Sequence, residues 1–227
     1  SKMKTIGIIG AMPSELSDIR LSLGQAAVEE KASFKFFINE FEGKRLINVC
    51  CGIGKVNAAL CTQNLIDCYK PDYIINTGIA GGMNPEVKVC DIVVSSEVMY
   101  HDLLTRFLEN YPPYNGIFKA DADLIQKALK SCEKYGIKCF PGRIVSGEAF
   151  VSDSVLKARI IDEFSPFAVD MESAGIGHCA FLNNVPFVSV RCISDNADDE
   201  GEMSFEQFEK IAAKRVAEIV LDMAKEI

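Results

Sequence analysis

The sequence predicts an α/β fold whose central sheet is mixed, largely parallel and twisted, with helices on its flanks. Three observations carry this. Strand-like and helix-like stretches alternate along the whole chain. Ile6 to Met12 is a continuous apolar run and Val188 to Asp195 a β-branched stretch ending in a polar tip, as buried strands are. The length, 227 residues, suits one domain over residues 3–227 with enough volume to bury most of its apolar surface. Ser1 and Lys2 precede the first Met and read as an expression remnant.

Thr5 to Met12 reads as a first buried strand, and Pro13-Ser14-Glu15 as the start of a helix, with Pro at its favoured first position. Ser33 to Ile38 and Arg45 to Cys51 form a hairpin with Gly43 in its turn. Cys51-Gly52-Ile53-Gly54-Lys55 is a glycine-rich entry to a helix whose apolar positions Val56, Ala59, Leu60, Gln63 and Ile66 loosely follow one face. It lacks the spacing of a P-loop or a dinucleotide fingerprint, so close backbone approach explains its glycines better. Tyr73 to Thr77 is the next strand, leaving through Gly78-Ile79-Ala80-Gly81-Gly82, where a ligand can lie against bare backbone or the chain can simply turn.

Asp91 to Tyr100 is strand-like, and His101 to Gly116 an irregular, aromatic-rich loop. A helix over 121–135 opens on Asp121, a strand spans Ile137 to Val145, and Ser152-Asp153 caps a further helix. Phe167 to Glu172 is a short strand running into a helix from Ser173 to Phe181. After the strand that ends at Asp195, Ser204-Phe205-Glu206-Gln207 reads as a capping box. It opens a helix with Phe205, Phe208, Ala212, Ile219 and Met223 inward.

Composition narrows the function classes. A net charge of −8 disfavours nucleic acid and anionic membranes, which reward clustered Lys and Arg, so a small molecule is the expected partner. No apolar run approaches a membrane span and no signal pattern opens the chain, so a cytoplasmic protein is expected. Nine cysteines without a CxxC pair read as reduced, mostly buried thiols rather than a disulfide framework. With two histidines and no ligand spacing around them, neither a metal nor another cofactor is expected.

Chemistry concentrates in three carboxylates. Asp195 and Glu172 each stand at the C-terminal edge of a strand, where open α/β sheets build ligand sites, and Glu15 lies in a first helical turn. A capped strand end or a residue favoured by the helix dipole would explain any one of them singly.

Several motifs taken together resemble the bacterial 5'-methylthioadenosine/S-adenosylhomocysteine nucleosidases of the nucleoside phosphorylase superfamily. They are Ile8-Ile9-Gly10-Ala11-Met12 with Glu15, Gly52-Ile53-Gly54-Lys55-Val56, Asn76-Thr77-Gly78, Ala80-Gly81-Gly82, Val145-Ser146-Gly147, Asp170-Met171-Glu172 and Arg191-x-Ile193-Ser194-Asp195. The resemblance implies a three-layer sandwich and hydrolysis of an adenine N-glycosidic bond. It makes Asp195 the acid that protonates adenine N7 and Glu15 the group that orients the attacking water. Glu172 binds the ribose hydroxyls. It also places Phe150 against adenine and the Val151 backbone at its edge, with Met12, Ile53, Met171 and Phe205 around the sugar and the 5' substituent. Ala80, Gly81, Arg191 and Ser194 complete the site, and a homodimer brings Phe107 of the neighbouring subunit over the 5' pocket. The residue chemistry fits this independently, because an oxocarbenium-like centre needs a protonated leaving base, a positioned water and held hydroxyls.

Two departures from the family pattern stand out: Ile79 replaces a Ser, and the loop after Tyr100-His101-Asp102 keeps only Thr105-x-Phe107 and a following Pro. The rival readings are a purine nucleoside phosphorylase, disfavoured because Asn76-Thr77 stands where the hexameric bacterial enzymes carry an Arg, and a nucleoside-binding homologue without activity.

Overall fold

The computed structural model describes residues 2–227, so of the two leading residues Ser1 lies outside the described residues. The fold is organised on β1 (Thr5–Gly10), buried at every position and lying between two parallel neighbours, β4 (Lys44–Cys50) and β5 (Tyr73–Gly82). Between β1 and β4 come α1 (Pro13–Leu23), β2 (Ala27–Lys31) and β3 (Phe34–Phe41), and α2 (Lys55–Tyr69) joins β4 to β5. The chain continues through β6 (Ile92–Tyr100), α3 (Thr105–Asn110), β7 (Phe118–Lys119), α4 (Ala122–Lys134) and β8 (Cys139–Ser146). It ends with α5 (Ser154–Phe164), β9 (Ala168–Asp170), α6 (Ser173–Leu182), β10 (Phe187–Asp195) and α7 (Gly201–Glu226).

The sheet is mixed, with most of its paired residues in parallel ladders, and part of it is closed rather than open, which corrects the expected open form. Parallel pairings join β1 to β4 and β5, β5 to β10, β6 to β8 and β8 to β9. Antiparallel pairings of the same number join β2 to β3, β3 to β4, β5 to β9, β6 to β7 and β6 to β10. Because β10 pairs with both β6 and β5, the strands β5, β9, β8, β6 and β10 close into a ring, and β1, β4, β3 and β2 extend from β5 as a wing. Closure removes the edges that an open sheet leaves unpaired. The apolar runs could not announce it, since a strand buried on both faces reads the same in either arrangement.

Helices lie on both faces of the sheet, giving three layers. Ile6, Ile8, Ile75, Val188 and Val190 face α1, α4 and α7 through Leu16, Ile19, Leu124, Ala128, Val216 and Val220. Ile9, Val49, Ile74 and Val93 face α2 and α6 through Ala58, Cys61, Leu65, Ile176 and Ala180. Each such fully buried Ile, Leu or Val contributes about 1.5–3 kcal/mol of transfer free energy.

Local expectations fail in instructive places. The buried face of α2 is Ala58, Cys61, Thr62, Leu65, Ile66 and Tyr69, while Val56 and Leu60 are 67% and 58% exposed. Ala58 and Cys61 let α6 approach closely there, while Val56 and Leu60 are turned outward. The stretch after His101 contains the short helix α3, capped by neither Ser nor Asp, which is why its start was not legible. Gly78 to Gly82 remain in β5 instead of turning. Ser204 lies inside α7, which begins at Gly201, and its hydroxyl donates to the Ser194 carbonyl at 3.0 Å instead of capping the helix. The edge strand β2, exposed at every position, had no apolar alternation to reveal it. Among the nine free cysteines five are buried, whereas Cys68 is exposed and Cys50, Cys90 and Cys139 are half-buried.

Candidate active site

A cavity of about 380 Å³ opens where β1, β5 and β10 end, lined by Met12, Glu15, Ile53, Ala80, Gly81, Phe150, Met171, Glu172, Arg191, Ser194, Asp195 and Phe205. A small pocket adjoining it adds Val151 and shares Phe150, Gly81 and Asp195. The structure thus gathers every residue singled out from the sequence except Phe107, which lies on α3 with 47% of its surface exposed and does not line the cavity of its own chain. Ala11, Ile79, Val169, Asp170, Glu202 and Glu206 line the cavity as well.

Glu15 is delivered by the end of β1. Pro13 begins α1, and the third residue of the helix turns its carboxylate back, Oε1 accepting from the backbone N–H groups of Ala11 at 2.9 Å and Met12 at 3.0 Å. This is the reciprocal half of a capping box, here satisfying donors that the helix start leaves open. Its Oε2 accepts from the Ile79 N–H of β5 at 2.8 Å and lies 3.7 Å from Arg191 Nη1. The close approach needs Gly78: a Cβ there would overlap Glu15 Oε2 and stand 2.7 Å from Arg191 Nη1. Burial pushes the Glu15 carboxyl above its ordinary pKa, opposed by Arg191 and the three backbone donors.

Arg191 is almost completely buried on β10, opposite Gly78 of β5. Its guanidinium lies 3.1 Å from Asp170 Oδ2, 3.4 Å from Glu172 Oε1 and 3.7 Å from Glu15 Oε2. It also donates to Asn76 Oδ1 at 2.6 Å and to the Ile79 carbonyl at 2.9 Å. Burial would lower its pKa, but Asp170, Glu172 and Glu15 outweigh this and raise it, so the group is a permanent cation.

Glu172 lies at the start of α6, its Oε2 accepting from the Gly54 N–H at 3.0 Å. Burial, reinforced by Asp170 and Glu15 against the pull of Arg191, pushes its carboxyl up to about 7. Beneath it Asp170 holds the helix end: Oδ1 accepts from the N–H groups of Glu172 and Ser173, both at 3.2 Å, and Oδ2 from the Ser173 hydroxyl. Asn76 completes the floor, donating to the Ile9 carbonyl at 2.9 Å and accepting from Ser189 and Arg191. Asp170 and Asn76 were quoted in the motifs but given no role, because their work is to satisfy other buried groups.

Asp195 ends β10 beyond an irregularity between Ile193 and Asp195 in its pairing with β5. Such a break in register re-aims a side chain. The carboxyl is 1% exposed, accepting from the Ser194 hydroxyl at 2.8 Å and the Ala197 N–H at 2.9 Å, with no cation in ion-pair contact among the described residues. Burial pushes its pKa up against these two hydrogen bonds. Phe150 and Phe205 meet edge to face at 5.3 Å between ring centroids over the cavity.

With this geometry established, three comparisons place the chain. Residues 5–225 match the family model of the Phosphorylase superfamily. A 5'-methylthioadenosine/S-adenosylhomocysteine nucleosidase of Bacillus licheniformis is 41% identical over 98% of this chain and 99% of its own length. Among solved structures, the nucleosidase of the same name from Colwellia psychrerythraea 34H, in complex with adenine, is 38% identical with a TM-score of 0.92, covering 98% of this chain and 95% of its own. That from Neisseria meningitidis, in complex with methylthio-immucillin-A, is 34% identical with a TM-score of 0.94, covering 99% and 100%. A likeness of this extent in both sequence and structure means that the chain belongs to the phosphorylase superfamily and, within it, to the 5'-methylthioadenosine/S-adenosylhomocysteine nucleosidases.

Proposed function

We propose that the protein hydrolyses the N-glycosidic bond of 5'-methylthioadenosine and S-adenosylhomocysteine, releasing adenine and the corresponding thioribose. The observation that carries this reading is the division of three buried carboxylates at one cavity, two beside Arg191 and one without a cation. Asp195, whose burial favours the protonated form, gives its proton to N7 of the base as the C1'–N9 bond breaks and its electron pair passes into adenine. Glu15 accepts a proton from the water whose oxygen bonds to C1', and its raised pKa brings it nearer the working pH, as suits a general base. Glu172 accepts hydrogen bonds from the ribose 2' and 3' hydroxyls, Phe150 stacks on adenine and the Val151 backbone meets its edge. Met12, Ile53, Met171 and Phe205 enclose the sugar and its 5' group, and Ala80, Gly81 and Ser194 close the remaining wall. Arg191 holds Glu15 and Glu172 in register from below.

Hydrolysis is favoured over phosphorolysis on electrostatic grounds. Among the described residues lining the cavity Arg191 alone is cationic, and its guanidinium is already engaged by three carboxylates. A phosphate dianion would find no free donor fork and would meet net negative charge. Incubation with methylthioadenosine, with and without phosphate, tests this: adenine and free methylthioribose are expected in both. A strict need for phosphate, with a ribose 1-phosphate product, would establish the phosphorylase instead.

We further propose a two-fold homodimer in the cytoplasm. Val56 and Leu60 on α2, Leu104 and Phe107 around α3, and Phe181 and Leu182 on α6 are large apolar side chains left exposed. A self-complementary interface would cover them and bring Phe107 to the partner's 5' pocket. Light scattering at micromolar concentration should return a dimer; a fully active monomer would refute it.

A further inference from the structure

Phe150 and Val151 belong to residues 147–153, a segment outside any regular element, yet they line the cavity. One set of its attachments runs to the start of α2. The Glu148 N–H donates to Asp102 Oδ2 at 2.9 Å, and the Glu148 carboxylate accepts from the Lys55 backbone N–H through Oε1 at 2.5 Å. Lys55 Nζ closes the loop on Asp102 Oδ1 at 2.6 Å. The Lys55 N–H is the first of α2, and the preceding N–H, that of Gly54, is the one that holds Glu172. Two carboxylates therefore occupy adjacent donors at one helix N-terminus, where backbone N–H groups and the helix dipole both favour negative charge. Gly54 is required for this: its φ is +103°, and a Cβ would stand 2.9 Å from Glu148 Oε2.

From this geometry we propose that Glu148 is a positioning residue. With Asp102 and Lys55 it latches the base-contacting segment to the start of α2, so that the walls contacting adenine and the group holding ribose are set as one unit. Asp102 is suited to its part: burial would raise its carboxyl, but the hydrogen bonds from Lys55 and the Glu148 N–H outweigh this and hold it below the ordinary range. The inference rests on the proposed reaction for its consequence in catalysis but not for the latch itself.

The test uses the full chain with Glu148→Ala, Glu148→Gln, Asp102→Asn and the Glu148→Ala/Asp102→Asn double variant. Removing a charge-assisted hydrogen bond should raise hydrogen exchange over residues 147–153 at least about fivefold in Glu148→Ala, and raise both the Kd for adenine and the KM for methylthioadenosine about tenfold. The change in kcat should stay within about threefold, since no group that touches the reacting atoms is removed. Glu148→Gln, which keeps an acceptor for the Lys55 N–H, should recover part of the loss. The double variant should match the worse single variant within about twofold, as members of one network do. Unchanged exchange or unchanged adenine affinity in Glu148→Ala would overturn the proposal, as would additive losses in the double variant. If the wild type releases no adenine from methylthioadenosine, the proposed reaction fails separately, while the exchange comparison still decides whether the latch exists.

Discussion

Asp195 and Glu15 line the same cavity and are equally buried, each 1% exposed, yet their surroundings are opposite. Asp195 has a hydroxyl, one backbone N–H and, among the described residues, no ion pair; Glu15 has three backbone donors and shares Arg191 with Glu172 and Asp170. Desolvation pushes both carboxyls above their ordinary pKa, opposed at Glu15 by Arg191 and three backbone donors and at Asp195 chiefly by two hydrogen bonds. Burial alone therefore does not assign a role. In the proposed reaction the placement of Arg191 separates them: the carboxyl away from it delivers the proton and the two beside it accept.

The largest expected effect comes from removing the acid. Asp195→Asn keeps the shape and the two hydrogen-bonding neighbours but has no proton to deliver, so turnover of methylthioadenosine should fall about 10²–10⁴-fold with melting temperature nearly unchanged. Near-normal steady-state turnover would remove Asp195 from the mechanism. On the other side of the comparison, Glu15→Gln should lower kcat about 10²-fold while KM moves only a few-fold, since the water is lost and the nucleoside contacts are not.

The two sides should separate more sharply in stability. Arg191→Met leaves Glu15, Asp170 and Glu172 buried without their shared cation, and breaking such a cluster costs about 3–5 kcal/mol, read as a large fall in denaturation midpoint. A midpoint as insensitive as that expected for Asp195→Asn would show that the cluster is not held by the guanidinium.

Glu172 offers the finest discrimination, through pH. Its folded-state pKa is raised to about 7 from an ordinary 4.5, so between these values the folded state binds more protons than the unfolded one. The stability contributed by this group is then fully present below about 4.5 and is lost as pH rises through about 7. Glu172→Gln, which cannot titrate, should flatten that dependence and melt at or above the wild-type temperature at pH 8, at the expense of ribose binding. A variant whose melting temperature tracks the wild type in parallel from pH 5 to 8 would contradict the burial assigned to this carboxyl. Activity should meanwhile decline on the alkaline side as Asp195 loses its proton, and that limb should be missing from the residual activity of Asp195→Asn.

The residues that depend on their immediate neighbours were legible in the chain itself. Pro13 followed by Glu15 announces a helix start with a carboxylate in its first turn, and a β-branched run ending in Ser194-Asp195 announces a strand with a polar tip; both are realised. The hairpin at Gly43 and the cap at Asp121 likewise follow from contiguous residues. What the tertiary structure alone decided concerns partners far apart in sequence. The closure of β10 onto both β5 and β6, the bond from Ile79 to Glu15 across 64 positions and that from Gly54 to Glu172 across 118 are set by register and packing, which no local pattern encodes. The outward turn of Val56 and Leu60 and the buried work of Asn76 and Asp170 belong to the same class. Periodicity reports that a side chain belongs to one face of an element, whereas its role is fixed by whatever the rest of the chain places opposite that face.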